Sequence, residues 1–302
     1  MRSFLSGLLT LIAMVACVLA VPTMWISERL VDQDGFVSVV SPMSTDEHVK
    51  DFLADRITEQ AVARADQLNT DVLNAPIEAL VRPVAQRYTD SPGFQADFVS
   101  LVRQQHSWLF DEPAPGTDTQ VMRVDITPMV NRVIAQVLPG AQPLSGPIEI
   151  ELINRSNGIE AGQYHRAGQQ ITDLGWVSTV VAAVAALLAL LVARRRGTVL
   201  AWLGIGLMLS CAAAWAAGTY LAGEARDRVA SAAENTRDVA ELFIDRCADD
   251  LTRFALIVGG VGLGVVVLGI IVRLVFPGKP KRSRGADTTA GGYDRAGYPI
   301  TR

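Results

Sequence analysis

Apolar and polar positions fall into long blocks along this chain. Four blocks stay apolar for about twenty residues, the length that crosses a hydrocarbon layer of roughly 30 Å at about 1.5 Å per helical residue. They are Phe4–Trp25, Leu174–Ala193, Thr198–Leu221 and Phe254–Phe276. The second and third carry no charged residue and are joined only by Arg194, Arg195, Arg196 and Gly197. A joint that short forces an antiparallel helical hairpin, residues 173–221 in all. The first block, within residues 1–26, reads as an uncleaved anchor, with Trp25 marking the outer interface. Two other readings remain open there: cleavage after the small-residue step Val18-Leu19-Ala20, and lipidation of Cys17.

Between the first two spans, residues 27–172 are polar and of domain size. Asp32–Gly35 is a turn signal, followed by the apolar run Phe36–Val40. Ser44 and Glu47 have the spacing of a capping box, ahead of a helix with Val49, Phe52, Leu53 and Ile57 on one face. A second helix is expected over Asp71–Arg82, closed by Pro83. Ser91-Pro92 opens a third, with the stripe Phe94, Phe98, Leu101, Val102, Gln105, Trp108 and Leu109. After Asp111–Gly116 the period changes to two. Met122, Val124 and Ile126 form one alternating set, and Ile148, Ile150 and Leu152 another, with Glu149 and Glu151 outward. Pro128–Leu138 lies between them as a helix turning Val130, Val133, Ile134 and Val137 inward. The default for such a strand–helix–strand unit is a right-handed crossover with parallel strands. The expected fold class is therefore a membrane α-helical protein with four transmembrane helices and an extracytoplasmic α+β domain between helices 1 and 2.

Beyond the hairpin, residues 222–252 carry an amphipathic stripe through Val229, Ala233, Thr236, Ala240, Phe243, Cys247 and Leu251. They read as an amphipathic helical loop, followed by the last span at 253–276. Pro277 stops that helix, and residues 277–302 read as a disordered basic tail. Within the spans, Gly260 and Gly264 form a GxxxG, and Ala214 and Gly218 a similar small face. Both are expected to meet another helix, of this chain or of a second copy.

Charge decides sidedness. The formal net charge is only -4, so its overall charge gives no sign of nucleic acid as a partner. The basic residues Arg194, Arg195 and Arg196 sit in a short joint, and Lys279, Lys281, Arg282 and Arg284 follow the last span. Basic residues in short segments flanking membrane helices stay on the cytoplasmic side. Both termini are thus expected in the cytoplasm of a multi-pass plasma-membrane protein, with residues 27–172 and 222–252 outside.

Candidate chemistry is sparse. His48, His106 and His165 fall in three segments at no metal-ligand spacing, and read as surface or half-buried side chains. Cys17, Cys211 and Cys247 show no paired spacing. Asp111-Glu112 reads as a solvated loop pair. Gly259–Gly264 is glycine-rich but lies inside a span, with no preceding strand and no Lys-Ser/Thr, which excludes a phosphate loop. No cofactor is expected.

Several segments together resemble an uncharacterised family of four-span membrane proteins of actinobacteria. They are Leu30–Val37 with its Asp32-Gln33-Asp34-Gly35 centre, the Ser41-Pro42-Met43 step, Arg56-Ile57-Thr58, Asp90–Gln95, Val124-Asp125-Ile126 and the Arg194–Arg196 turn. The resemblance implies a four-span fold and a place in the cell envelope, and supplies no catalytic residues. The expected function is that of a non-enzymatic envelope protein whose external domain contacts a wall component or partner protein. Two alternatives are an enzyme or accessory factor acting on a lipid-linked envelope precursor near Trp25, Trp176 and the loop from Gly223, and a transporter component.

Overall fold

A computed structural model describes residues 2–64, 77–116, 118–140, 142–153, 158–193, 195–230 and 234–275. Four helices in it are long and apolar enough to cross a membrane, covering Phe4–Val31, His165–Val192, Arg196–Val229 and Arg237–Val275. By that measure the chain is a multi-pass membrane protein.

Helix α1 (Arg2–Ile26) runs through one wide turn, Ser27–Val31, into α2 (Gln33–Val40). The apolar run after the Asp32–Gly35 turn is thus helical, because Asp32 caps it: its Oδ2 accepts from the Gly35 amide at 2.8 Å. Gly35 is required there, since a Cβ would overlap the Glu28 carbonyl where the two helices meet. Helix α3 (Glu47–Ala63) starts two residues later than the capping-box spacing predicts. Ser44 is committed to the preceding 3-10 turn, where its hydroxyl donates to Ser41 O. Asp46 caps instead, accepting from His48 N at 3.0 Å.

Helix α4 (Ile77–Thr89) continues through Pro83, where a stop was expected. Both Pro83 and Ala79, whose carbonyl loses its partner, face outward, so solvent can satisfy the gap. The opposite face buries Val81, Ala85 and Tyr88. The first part of the expected helix, residues 71–76, lies outside the described residues, as does the Arg194 position. Helix α5 (Pro92–Phe110) buries Phe94, Phe98, Leu101 and Val102 as its stripe predicts. Its Ser91 stands at the cap position without making the side-chain bond. Tyr88, Asp97 and Arg132 cross-link α4, α5 and the next helix, with Tyr88 donating to Asp97 at 2.5 Å and Arg132 paired to Asp97 at 2.8 Å. Burial pushes the Tyr88 phenol well above its usual range, and the bond to Asp97 adds to this.

Strands β1 (Met122–Asp125) and β2 (Glu149–Ile153) flank α6 (Thr127–Val137). They pair antiparallel, Val124 opposite Ile150 and Asp125 opposite Glu149, against the parallel expectation. The reason is in the connection. The chain runs out along α6 and returns beside it: Leu144 N donates to Asn131 Oδ1, Ile148 N to Thr127 Oγ1, and Ile126 N to Ile148 O. Strand β2 therefore begins where β1 ends and must run back along it. The alternation itself is as expected, with Met122, Val124, Ile126, Ile148 and Ile150 buried and Glu149 and Glu151 exposed around Arg123. Two short strands do not make an α+β domain. The polar domain is helical with one two-stranded ribbon, and α3, α4, α5 and α6 supply most of its core.

Helix α7 (His165–Val192) begins nine residues before the uncharged run. Helix α8 is Arg196–Val229, and α9 (Glu234–Val275) is one helix of 42 residues. The expected break between amphipathic loop and last span is absent, because no glycine or proline lies between Glu234 and Val258 and the stripe runs straight into the span. At about 1.5 Å per residue α9 is about 63 Å long, twice the hydrocarbon thickness. Helix α1 packs along α7 and α8, and α8 along α9. Ser6 Oγ donates to Ala189 O at 3.4 Å, and Gly197 abuts Gly269 and Arg273. The start of α1, the arginine joint and the end of α9 thus share one end of the bundle, and the polar domain occupies the other.

Among the spanning helices, the closest approach at a glycine is along the α8/α9 seam. A Cβ on Gly204 would stand 2.5 Å from Gly262 O, one on Gly197 2.5 Å from Gly269 O, and one on Gly269 2.5 Å from Ala201 N. Ala214 is 1% exposed, and Gly218 faces the Leu251 side chain, so that small face does meet α9. The GxxxG of Gly260 and Gly264 meets no described residue of this chain: nothing lies within 4 Å of a Cβ at either. The seam uses glycines seven apart, a spacing that returns to the same face after two turns, whereas Gly260 and Gly264 fall beside it.

Trp25 is 5% exposed and is no interfacial belt residue. Its Nε1 donates to Asp250 Oδ2 at 2.9 Å, and Arg29 pairs with the same oxygen at 3.4 Å, tying α1 to α9.

Ile150→Asp should destabilise the detergent-solubilised chain by about 4 kcal/mol, because the carboxylate has no buried partner, while Glu149→Lys should stay within about 0.5 kcal/mol. Thermal unfolding of the two variants reads this directly; equal losses would mean the ribbon is not packed as described.

Gly204→Leu should lower thermal stability by about 2–3 kcal/mol through overpacking at the seam, and Gly260→Leu should be silent. A melting series in one detergent separates them, and the reverse order would place the α8/α9 contact on the other face.

Candidate functional site

The polar domain and the projecting helices do not close completely on each other. Ile26, Leu30 and Val31 at the end of α1, Phe52 and Arg56 on α3, Phe98, Leu101, Gln105 and Leu109 on α5, Leu152 on β2, Tyr164 and Ile171 around the start of α7, and Val239, Ala240 and Phe243 on α9 wall a cavity of about 700 Å³. That is within the roughly 300–1,000 Å³ usual for small-molecule sites. The lining is mostly apolar, and its polar side chains are Arg56, Gln105, Glu151 and Tyr164. Arg56 stands over the Phe52 ring at 5.4 Å and pairs with Glu59 at 2.8 Å.

Each wall follows from local sequence. The α5 stripe is wider than the core needs, so Gln105 and Leu109 turn toward the gap while Phe94 and Val102 are fully buried. The amphipathic stripe of α9 supplies the far wall, where Phe243 meets Phe36 with ring centroids 5.9 Å apart. Arg226 on α8 pairs with Asp245 and holds that stretch in place. Gly168 lets α7 approach: a Cβ there would stand 3.0 Å from Val31 Cγ1 and 3.3 Å from Phe110.

A second, polar cleft meets the first at Val31 and Phe110. It is lined by Asp32, Gln33, His106, Ser107, Asp111, His165, Gln169, Thr172 and Asp173. His165 Nδ1 bonds Phe110 O at 2.7 Å, and Gln169 reaches its Nε2 at 3.1 Å. Gln33 donates to Ser107 at 3.0 Å. His106 is 4% exposed, stacked on Phe110 at 4.6 Å, with Nε2 on Leu30 O at 3.1 Å. Its Nδ1 has no hydrogen-bond partner among the described residues.

Two of the three histidines, expected apart at or near the surface, are thus brought together beside Asp111, and His106 is buried outright. Only the fold joins α5 to the start of α7, so spacing gave no signal for this. His48 is exposed on α3, and Glu112 is exposed outside the cleft. Among the described residues, no group of three or more His, Cys, Asp or Glu is placed to hold a metal. Arg195 and Arg196 are exposed at the far end of the bundle. Lys279, Lys281, Arg282 and Arg284 lie outside the described residues. The three cysteines are free thiols.

No protein-family model, curated protein or solved structure matches the chain.

Proposed function

We propose that this is a non-enzymatic protein of the bacterial cell envelope, from the four-span actinobacterial family it resembles, whose external domain binds the acyl chain of a membrane lipid. One observation carries the reading: an apolar cavity of about 700 Å³ lies between the polar domain and α1, α7 and α9, at the end of the apolar stretch of α1 and against the parts of α7 and α9 that project beyond theirs. An acyl chain can enter such a site from the bilayer side, and each methylene buried contributes about 0.8 kcal/mol. In this reading the joint at Arg195 and Arg196 is cytoplasmic, as are both termini, and the domain faces outward. The contact with a wall component or partner protein is then made by a domain that carries lipid. The accessory-factor alternative draws on the same cavity, with a lipid-linked envelope precursor as the occupant.

The chain, extracted from its own membrane in mild detergent, should carry about one lipid per protein by native mass spectrometry. Ala240→Trp puts an indole into the cavity and should strip that lipid while leaving the melting profile cooperative. A folded Ala240→Trp chain with its lipid intact would sink the acyl-chain site.

In a cysteine-free background, Ser100→Cys should react with an impermeant thiol reagent in intact cells and Arg195→Cys should not. Both side chains are exposed, so labelling reports sidedness alone. Labelling at 195 with silence at 100 would invert the orientation.

A further inference from the structure

The apolar cavity has a single cation in its wall. Among the described residues that line it, Arg56 is the only lysine or arginine. The one acidic residue of the lining, Glu151, is answered by Arg123 at 3.6 Å on the exposed face of the ribbon. The described partner of Arg56 is Glu59, one turn along α3, reached by Nη1 at 2.8 Å. A pair of that kind between half-exposed side chains holds weakly. It leaves the Nε and Nη2 edge of the guanidinium unspent, the edge that pairs with two oxygens of one oxyanion. The guanidinium carbon stands over the Phe52 ring, and Phe52 is itself a wall of the cavity. The charge is therefore held at the rim of an apolar space, in reach of water and of an occupant.

The helices place that rim relative to the bilayer. Trp25 bonds Asp250, and Ser27 bonds Thr172, so the end of α1 stands level with those positions of α9 and α7. Gly218 lies against Leu251, and the exposed rings of Trp176 and Tyr220 flank this level, as amphipathic rings do at a bilayer surface. Ile26 and Ile171, next in sequence to Ser27 and Thr172, are the floor of the cavity. From Cys247 to Val258, α9 packs with the end of α1. It meets the domain core only farther out, through Val239, Leu242 and Phe243, and α3 packs on it there. Those residues are seven to eleven positions beyond Asp250, about 10–16 Å of helix. Arg56 thus stands at the end of the cavity away from the bilayer, with apolar side chains between it and the floor.

A lipid of the leaflet nearest the domain has the same polarity, headgroup outward and acyl chain inward. Raised from that leaflet without turning over, it carries its headgroup toward Arg56 and leaves its chain along the apolar wall. A charge moved past such a wall needs a partner of opposite sign where it comes to rest.

We propose that the cavity takes a lipid with a phosphate headgroup, drawn upright from the leaflet nearest the domain, with its phosphate on Arg56 and its acyl chain reaching down to Ile26 and Ile171; this assignment rests on the acyl-chain reading above. Phosphate is the oxyanion that membrane lipids carry, and its oxygens fit the open edge of the guanidinium.

The test uses the full chain, delipidated in mild detergent and titrated with palmitoyl-lysophosphatidic acid and with monopalmitoylglycerol. The two probes share an acyl chain and a glycerol and differ in the phosphate. Native mass spectrometry should show the phosphate lipid binding about tenfold more tightly. Arg56→Gln, at a half-exposed position, should melt like the parent and bind both probes at the monopalmitoylglycerol level. A phosphate lipid with a diazirine at the end of its chain should crosslink to the end of α1 or to α7 between Tyr164 and Ile171. Equal binding of both probes to the parent, or a tenfold preference that survives in Arg56→Gln, would overturn the phosphate seat while leaving the acyl-chain reading intact. Crosslinking of the chain end to α3 would overturn the upright orientation. Binding of neither probe would overturn the acyl-chain reading as well. Displacement of the phosphate lipid by millimolar glycerol 3-phosphate would overturn the lipid source in favour of a free phosphate ester.

Discussion

A helix of 42 residues cannot hide in a layer that half its length would cross, and the upper part of this protein is arranged around that excess. Helix α9 leaves its apolar stretch with several turns of amphipathic helix still to run. In water that apolar stripe needs cover, and the polar domain provides it: Val239, Leu242 and Phe243 pack against the domain core. The same contact gives the domain a fixed seat on the bundle. Asp250 sets the height of the seat, because Trp25 and Arg29 of the α1 end both reach it. Removing that carboxylate would leave a buried indole N–H without a partner, a loss of about 1–3 kcal/mol.

Below that level different forces hold. Lipid tails are as apolar as leucine, so burial alone does not pull α8 and α9 together. Close packing does, and the glycines at 197, 204, 262 and 269 bring backbone against backbone. Ser210, fully buried, gives its hydroxyl to Gly206 O within its own helix and makes no demand on a neighbour. The bundle is therefore tight where glycines meet. The described polar ties between its helices are the weak Ser6–Ala189 bond at its far end, the cluster around Asp250 and Thr172 where the domain begins, and the Arg226–Asp245 pair above that cluster.

The two cavities follow from how a domain built for water meets a bundle built for lipid. The domain buries a continuous core of its own, yet the α5 stripe extends past it toward the membrane helices. Where α1, α7 and α9 diverge to flank the domain, side chains of α5 reach into the gap without filling it. The apolar cavity and the acidic cleft are the two sides of that gap, divided by Phe110 and its stacked neighbour His106.

The sequence alone determined the four spans, because twenty uncharged residues have few alternatives to a membrane helix, and it determined which faces of β1, β2, α5 and α6 are buried, because periods of 2 and 3.6 are local properties. It also placed the small face of Ala214 and Gly218. Where a local rule had a rival one turn away, tertiary structure decided. Ser44 yielded the cap to Asp46 because a 3-10 turn already held its hydroxyl, and Gly260 and Gly264 yielded the seam to Gly262 and Gly269 because the crossing of α8 and α9 fixes which face is inside. The direction of β2 depended on Leu144 and Ile148 returning alongside α6, a non-local path that no alternation pattern encodes. The candidate site was the least legible part of all. Leu30, His106, Asp111, His165 and Asp173 come from distant segments, and only the docking of the domain on the projecting helices brings their side chains to one place.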